Sequence, residues 1–248
     1  MKTKRVFTTV ALVLLGSMMA MAQEKAEIWS WIFIEAEKGK SADLEKAIKD
    51  KTEKFNKVAV DPINTWRVMS GSRTGQLVRA IGPKDWSYYE KPNEGFTYWE
   101  QNVGPFIGKN SGREFYARIK EMSYNGSGKT ATPKYIEVTE YEVKADRLYD
   151  FASFVRDIVK SCNENKSKAR FSTYRIASGG SGNKYVVVSA YDSMTEMDDN
   201  SENWPQWFNK MKGSEAAWTK EWTGAQGSFE IYGVNSYLCS HVPELSSK

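Results

Sequence analysis

The sequence contains the same short segment twice. Thr-Trp-Arg-Val-Met-Ser-Gly at residues 65–71 reappears as Thr-Tyr-Arg-Ile-Ala-Ser-Gly at residues 173–179. Around each copy, segments with the two-residue alternation of strands and segments with the apolar spacing of helices follow one another in the same order. The chain is therefore predicted to fold as two similar halves.

Each half is predicted to run strand, helix, strand, strand, helix, strand. The first half covers residues 23–124 and the second covers residues 134–239. Residues 125–133, Asn-Gly-Ser-Gly-Lys-Thr-Ala-Thr-Pro, are rich in turn formers and show neither periodicity, which is typical of a linker. Residues 240–248 are predicted to form a polar tail.

The first residues have the composition of a secretory signal peptide. Lys2, Lys4 and Arg5 precede an apolar run, and Ala-Met-Ala at residues 20–22 provides small residues before a cleavage point. The apolar run is too short to cross a bilayer. We therefore predict a signal peptide over residues 1–22 and a soluble mature chain, periplasmic or secreted, without a membrane anchor.

The basic character of the chain comes mostly from this segment. Removing residues 1–22, which hold three positive charges and no negative one, lowers the formal net charge from +4 to +1. Binding to nucleic acid or to anionic lipid requires an excess of Lys and Arg gathered on one face. We expect no nucleic-acid partner.

The order of the elements predicts an α+β fold. A βαββαβ order is that of the ferredoxin-like unit, an antiparallel sheet with two helices on one face. The first strand has apolar side chains on both faces, so both faces must be buried. One face carries isoleucines and the other carries aromatic rings: Ile28, Ile32 and Ile34 against Trp29, Trp31 and Phe33.

Two tandem units of this kind could bury these faces by packing their sheets face to face, with the helices outside. This organisation resembles the dimeric α/β-barrel superfamily, in the form where one chain supplies both halves. The resemblance rests on the order of elements and on the repeat, and it implies an intramolecular dimeric α/β barrel.

The two repeated arginines are the first candidate ligand-binding residues. Alternation along the strands places Arg67 and Arg175 on the face opposite to Trp66 and Tyr174. If the rings lie under the helices, the arginines point between the sheets, where a buried guanidinium needs a carboxylate or a ligand anion. The alternative is structural, with the arginines at a solvent-exposed rim or paired with internal acids. All four residues are candidates to bind and orient a ligand.

The chain has two cysteines, Cys162 and Cys239. In the ferredoxin-like unit the first helix and the fourth strand end at the same edge of the sheet, which would bring the two thiols together. An oxidising compartment permits a disulfide. We predict a disulfide, and two separately buried thiols remain the alternative.

No catalytic signature is present in the sequence. His241 is the only histidine, and it is expected to lie beyond the last strand, where it cannot form a rigid catalytic centre. Haem-binding members of the α/β-barrel superfamily ligate iron through a histidine on the fold itself, and no residue here matches that position. The acidic stretch at residues 192–202 lacks the ligand spacing of a calcium loop. We predict no cofactor, no metal and no catalytic residue.

Three functional hypotheses remain. The first is a non-catalytic protein, a monomer or small homo-oligomer, that binds a small aromatic or anionic molecule or a partner. The alternative is an enzyme that resembles the cofactor-independent monooxygenases of the superfamily. The third is a packing module without a ligand. Whether the protein is an enzyme is left open, with the balance against it.

Overall fold

The computed structural model describes residues 26–57, 61–92, 94–198 and 202–248. The predicted signal peptide lies outside these residues. The strands are β1 Ile28–Ala36, β2 Ile63–Val68, β3 Leu77–Lys84, β4 Ile107–Asn110, β5 Glu114–Asn125, β6 Tyr135–Val143, β7 Arg170–Ser178, β8 Lys184–Tyr191 and β9 Phe229–His241. The α-helices are α1 Ser41–Phe55, α2 Trp86–Tyr89, α3 Glu94–Asn102, α4 Leu148–Glu164, α5 Trp204–Lys212 and α6 Ala217–Gln226. No helix within these ranges is long and apolar enough to span a membrane.

The fold is α+β, and its strands form a single closed barrel. Their order is β3-β2-β9-β6-β8-β7-β5-β1, and a further pairing of β1 with β3 closes the ring, while β4 pairs with β1 outside it. The predicted pair of separate sheets packed face to face is therefore corrected. The edge strands of one half hydrogen-bond to those of the other, through β2 with β9 and β5 with β7. Closure satisfies the backbone groups that two separate sheets would leave free at their edges.

The barrel interior contains one continuous apolar cluster. The Trp and Phe side chains of β1 face inward, whereas Ile34 faces outward and packs with Leu44 and Ile48 of α1. Every strand of the barrel contributes to the interior cluster, whose buried members are Trp31, Phe33, Trp66, Val68, Val78, Ala80, Tyr116, Ile136, Val138, Tyr174, Ile176, Val186, Tyr237 and Cys239. The helices cover the outer surface, where smaller apolar clusters form beneath them.

The last residues do not form the polar tail that the sequence predicted. β9 continues to His241, and the segment 242–247 then crosses onto the first half of the barrel, where Val242 and Leu245 are buried. Its backbone continues the sheet pairing beside β2, with Val242 N donating to Thr65 O at 2.9 Å. The sequence did not indicate that Val242 and Leu245 are buried, because most of the residues around them are polar.

The buried side chain of Arg79, on β3, holds the same segment. Its guanidinium donates to Leu245 O at 3.2 Å, to Thr65 Oγ1 at 3.3 Å and to Thr52 Oγ1 at 3.0 Å. The side chain is 2% exposed, and burial lowers the pKa of its guanidinium. The C-terminal segment therefore supplies a carbonyl that a buried cation in the first half requires.

Candidate functional site

The barrel interior is not completely filled. A cavity of about 290 Å³ lies between the two halves, near the size at which pockets begin to hold drug-like molecules. Aromatic rings from five strands line it, namely Trp29, Trp31 and Phe33 of β1, Trp66 of β2, Tyr124 of β5, Phe171 and Tyr174 of β7, and Tyr237 of β9. The rings of Trp31 and Tyr174 pack edge to face with centroids 5.3 Å apart. The site suits a small, flat, apolar molecule.

Two of the four candidate residues from the repeated segment line this cavity. Trp66 and Tyr174 face the interior and are 7% and 6% exposed. Burial raises the pKa of Tyr174 to about 12, so its hydroxyl remains protonated. The repeat therefore places one aromatic residue from each half on the same cavity wall.

The other two candidates lie outside the cavity, which corrects the predicted orientation of these strands. Arg67 extends outward and pairs with Glu45 of α1, with Nη2 and Oε1 2.7 Å apart. Arg175 is exposed and donates to the carbonyl of Gly182 at 3.3 Å within its own hairpin. The large rings fill the barrel more favourably than charged groups do, so the alternation along each strand turns the arginines outward.

Two arginines that the sequence analysis did not consider line the cavity instead. Arg118 of β5 and Arg170 of β7 stand at even spacing from the inward-facing Tyr116 and Tyr174 on the same strands. Counting every second residue from these tyrosines would have indicated both arginines. Arg118 Nη1 lies 3.1 Å from Oε2 of Glu27, a residue outside the cavity lining.

The predicted linker covers the mouth of the cavity. Residues 129–133 are part of its lining, and Lys129 pairs with Asp192, which also lies 2.9 Å from Arg170 Nη2. Thr132 Oγ1 contacts Asn64 Oδ1 at 3.4 Å across the opening. The segment therefore forms part of the cavity wall at this end of the barrel.

A network of charged side chains closes the opposite end of the barrel. Glu140, which is 6% exposed, lies 3.7 Å from Arg73 and 3.8 Å from Lys184, and Lys184 lies 3.5 Å from Glu114. Tyr237, whose ring lines the cavity, donates to Glu140 Oε1 at 3.2 Å, and burial raises its pKa. The two carboxylates balance the two cations, so this end of the barrel is closed without a net charge.

The structure corrects the predicted disulfide. Cys162 and Cys239 are both free and buried, and burial raises the pKa of both thiols. Cys239 belongs to the barrel interior, whereas Cys162 is on α4, outside the barrel wall. The prediction was based only on where the helix and the strand end. It did not account for the two side chains lying on opposite sides of the barrel wall.

His241 lies at the end of β9 rather than in a tail beyond it. Its Nε2 is 3.0 Å from Ser246 Oγ, its ring centroid is 5.7 Å from that of Trp66, and burial lowers its pKa. It is not among the residues that line the cavity. Within the described ranges, no group of three or more His, Cys, Asp or Glu residues is arranged to hold a metal ion.

Solved structures resemble this chain over nearly its whole length. A candidate monooxygenase from Fusobacterium nucleatum superposes with a TM-score of 0.61 at 12% identity, over 88% of this chain and 94% of its own. A second, from Lactobacillus acidophilus, gives 0.59 at 7% identity over 91% and 97%. A chlorite dismutase variant from Candidatus Nitrospira defluvii gives 0.56 at 8% identity over 89% and 93%. No family model and no curated protein sequence matches the chain.

These neighbours belong to the dimeric α/β-barrel superfamily. The chain has the fold of that superfamily. At identities of this level the resemblance concerns the fold alone, and the chemistry has to be argued from the residues of the cavity.

Haem does not fit the residues of this cavity. The usual axial ligands are histidine, cysteine, methionine and tyrosine. The cavity wall contains no histidine, cysteine or methionine among the described residues, and burial raises the pKa of its tyrosines Tyr124, Tyr174 and Tyr237, which disfavours the phenolate that would bind iron. We therefore derive no haem chemistry for this chain.

Proposed function

We propose that this protein binds a small aromatic molecule inside its barrel. The proposal rests on one observation, the cavity of about 290 Å³ whose walls are aromatic rings. Protein interiors are normally packed to the density of organic crystals, so an open space of this size in a barrel core forgoes packing energy. A ligand of matching shape would recover that energy.

Filling the cavity tests this proposal. Ala80 lines the cavity and is 6% exposed, so Ala80→Leu places additional methyl groups in the open space with little strain. We expect calorimetric titration with naphthalene to show binding to the natural chain, and at least about tenfold weaker binding to Ala80→Leu.

The exposed Ala216 provides the matched control, since Ala216→Leu adds the same group away from the cavity. It should bind naphthalene as the natural chain does. Native mass spectrometry of the protein from its own host should also show a retained small molecule that Ala80→Leu lacks. Equal naphthalene binding by Ala80→Leu and the natural chain would place the ligand elsewhere and contradict the proposal.

The second candidate function is oxidation of such a molecule by a cofactor-independent monooxygenase reaction. It is favoured by the fold shared with the candidate monooxygenases. Trp66 and Tyr174 would hold the aromatic ring. A reaction of this class needs a group that accepts a proton from the substrate. No Asp, Glu or His is among the described residues that line the cavity, and Glu140 accepts a hydrogen bond from the lining residue Tyr237 without being part of the lining itself.

Because the described cavity lining holds no such proton acceptor, binding is a better candidate function than oxidation. Oxygen consumption with dihydroxynaphthalene distinguishes the two functions. Binding without oxygen uptake is the expected result, and uptake that Ala80→Leu abolishes would instead establish the enzyme.

A separate proposal concerns the relationship between the two halves of the chain. We propose that the two halves are tandem ferredoxin-like units, supported by the matching strand orders β2-β3-β1-β5 and β7-β8-β6-β9. A crystal structure in which these two groups of strands fail to superpose would contradict it.

We also propose export to the periplasm or beyond, supported by the composition of residues 1–22. Fractionation of the host and mass measurement of the purified chain should give an extracytoplasmic protein that begins at Gln23. A cytoplasmic chain that retains residues 1–22 would be the opposite result.

A further inference from the structure

The cavity contains buried hydrogen-bond donors for which the barrel offers no acceptor. The indole Nε1 atoms of Trp29, Trp31 and Trp66 and the Nε of Arg118 are buried, and none has a hydrogen-bond partner among the described residues. All four residues line the same cavity. An indole nitrogen and a guanidinium nitrogen can only donate, so each of these atoms requires an acceptor from outside the protein.

The charges of the cavity lining have one sign. Its ionisable residues of fixed charge are Arg118, Lys129 and Arg170, and none of the described lining residues is an aspartate or a glutamate. Carboxylates outside the lining already engage this charge, since Glu27 contacts Arg118, Asp192 contacts Lys129 and Arg170, and Glu196 lies 3.8 Å from Arg170. The Nε of Arg118 has no hydrogen-bond partner among the described residues, even though the guanidinium pairs with Glu27.

On the basis of the proposed function, we infer that the cavity selects small aromatic anions, in which a flat ring carries carboxylate or ionised hydroxyl oxygens. The ring would pack against Trp31, Trp66 and Tyr174, while an oxygen accepts from Arg118 Nε. A buried donor left without a partner is destabilising, and hydrogen bonds to charged groups are the strongest that a protein makes. An oxygen anion therefore gains more here than a neutral ring does.

The same arrangement disfavours ligands with a positive charge. A ligand ammonium group would meet donors and positive charge without a carboxylate in the lining to receive it. Selectivity of this kind arises because the unfavoured ligand leaves polar groups unpaired. The cavity should discriminate among molecules of one shape by the sign of their charge.

Three molecules with the same naphthalene ring test the inference by calorimetric titration: naphthalene, 2-naphthoate and 2-naphthylmethylammonium. We expect 2-naphthoate to bind about tenfold or more tightly than naphthalene, a ratio that corresponds to about 1.4 kcal/mol, and the ammonium to bind more weakly than either. Equal affinities for naphthoate and naphthalene would overturn the inference and leave the proposed function intact. If none of the three binds, the proposed function itself fails.

Variants then assign the selectivity to the named donors. Arg118→Met keeps an unbranched apolar chain as far as the position of Nε and removes the guanidinium, and Glu27 retains Lys120 at 3.1 Å. We expect Arg118→Met to lose the preference for naphthoate while its affinity for naphthalene stays within about twofold. Trp31→Phe removes one indole donor and should reduce the preference in part.

Trp86→Phe is the control, because Trp86 is 45% exposed and outside the cavity lining. Its preference for naphthoate should equal that of the natural chain. A preference that persists unchanged in both Arg118→Met and Trp31→Phe would mean that water satisfies these donors, and would overturn the inference.

Discussion

Leu245→Ala is expected to lower the free energy of unfolding by about 2–5 kcal/mol, the usual range for truncation of a buried leucine. Leu245 is 1% exposed and packs with Ile34, Leu44, Ile48 and other members of the cluster beneath α1. The substitution leaves a cavity there and loosens the segment whose carbonyl receives Arg79. Urea unfolding followed by tryptophan fluorescence measures the effect.

The adjacent Glu244 provides the control. Its side chain is exposed, so Glu244→Ala should change stability by no more than about 0.5 kcal/mol. Deletion of residues 242–248 should have a larger effect than Leu245→Ala. It removes both apolar anchors and leaves the guanidinium of Arg79 without the Leu245 carbonyl. If the protein that lacks residues 242–248 unfolded at the same urea concentration as the full chain, the segment would not contribute to the stability of the fold, which would contradict the prediction.

Glu140→Gln is expected to lower the free energy of unfolding by about 3 kcal/mol, because it removes one charge of a buried network and leaves the others. Arg73 would then lose the carboxylate with which it pairs, whereas Lys184 would keep Glu114 at the closed end of the barrel. The hydrogen bond from Tyr237 can still be accepted by the amide oxygen, so the loss reports the charge rather than the bond to Tyr237. Urea unfolding at neutral pH gives the value.

Glu142→Gln is the matched control, since Glu142 is on the same strand and exposed. It should be neutral within about 0.5 kcal/mol. Adding Arg73→Met to Glu140→Gln should recover part of the lost stability, because Arg73 is the cation whose carboxylate partner the first substitution removes. Losses that simply add in the double variant would show that the pair is not coupled.

Much of the secondary structure could be predicted from the sequence. The repeated segment marks two equivalent strands, and the alternation in β1 correctly separates its isoleucines from its aromatic residues. Alternation is a local property, fixed because successive side chains of a strand point to opposite faces. The same rule groups Arg118 with Tyr116 and Arg170 with Tyr174, although only the structure showed that these groups face a cavity.

The sequence by itself determined the order of the elements, the division of each strand into two faces and the similarity of the halves. The tertiary structure decided which face points inward, that the two sheets join into one barrel, and that residues after His241 return to the first half. The reason is physical: periodicity is set by the chain's local geometry, whereas the choice of inner face depends on the volume that apolar side chains from eight strands must fill together. Contacts between residues far apart in the chain made that choice, and they brought Trp66, Tyr174 and Arg118 to one site.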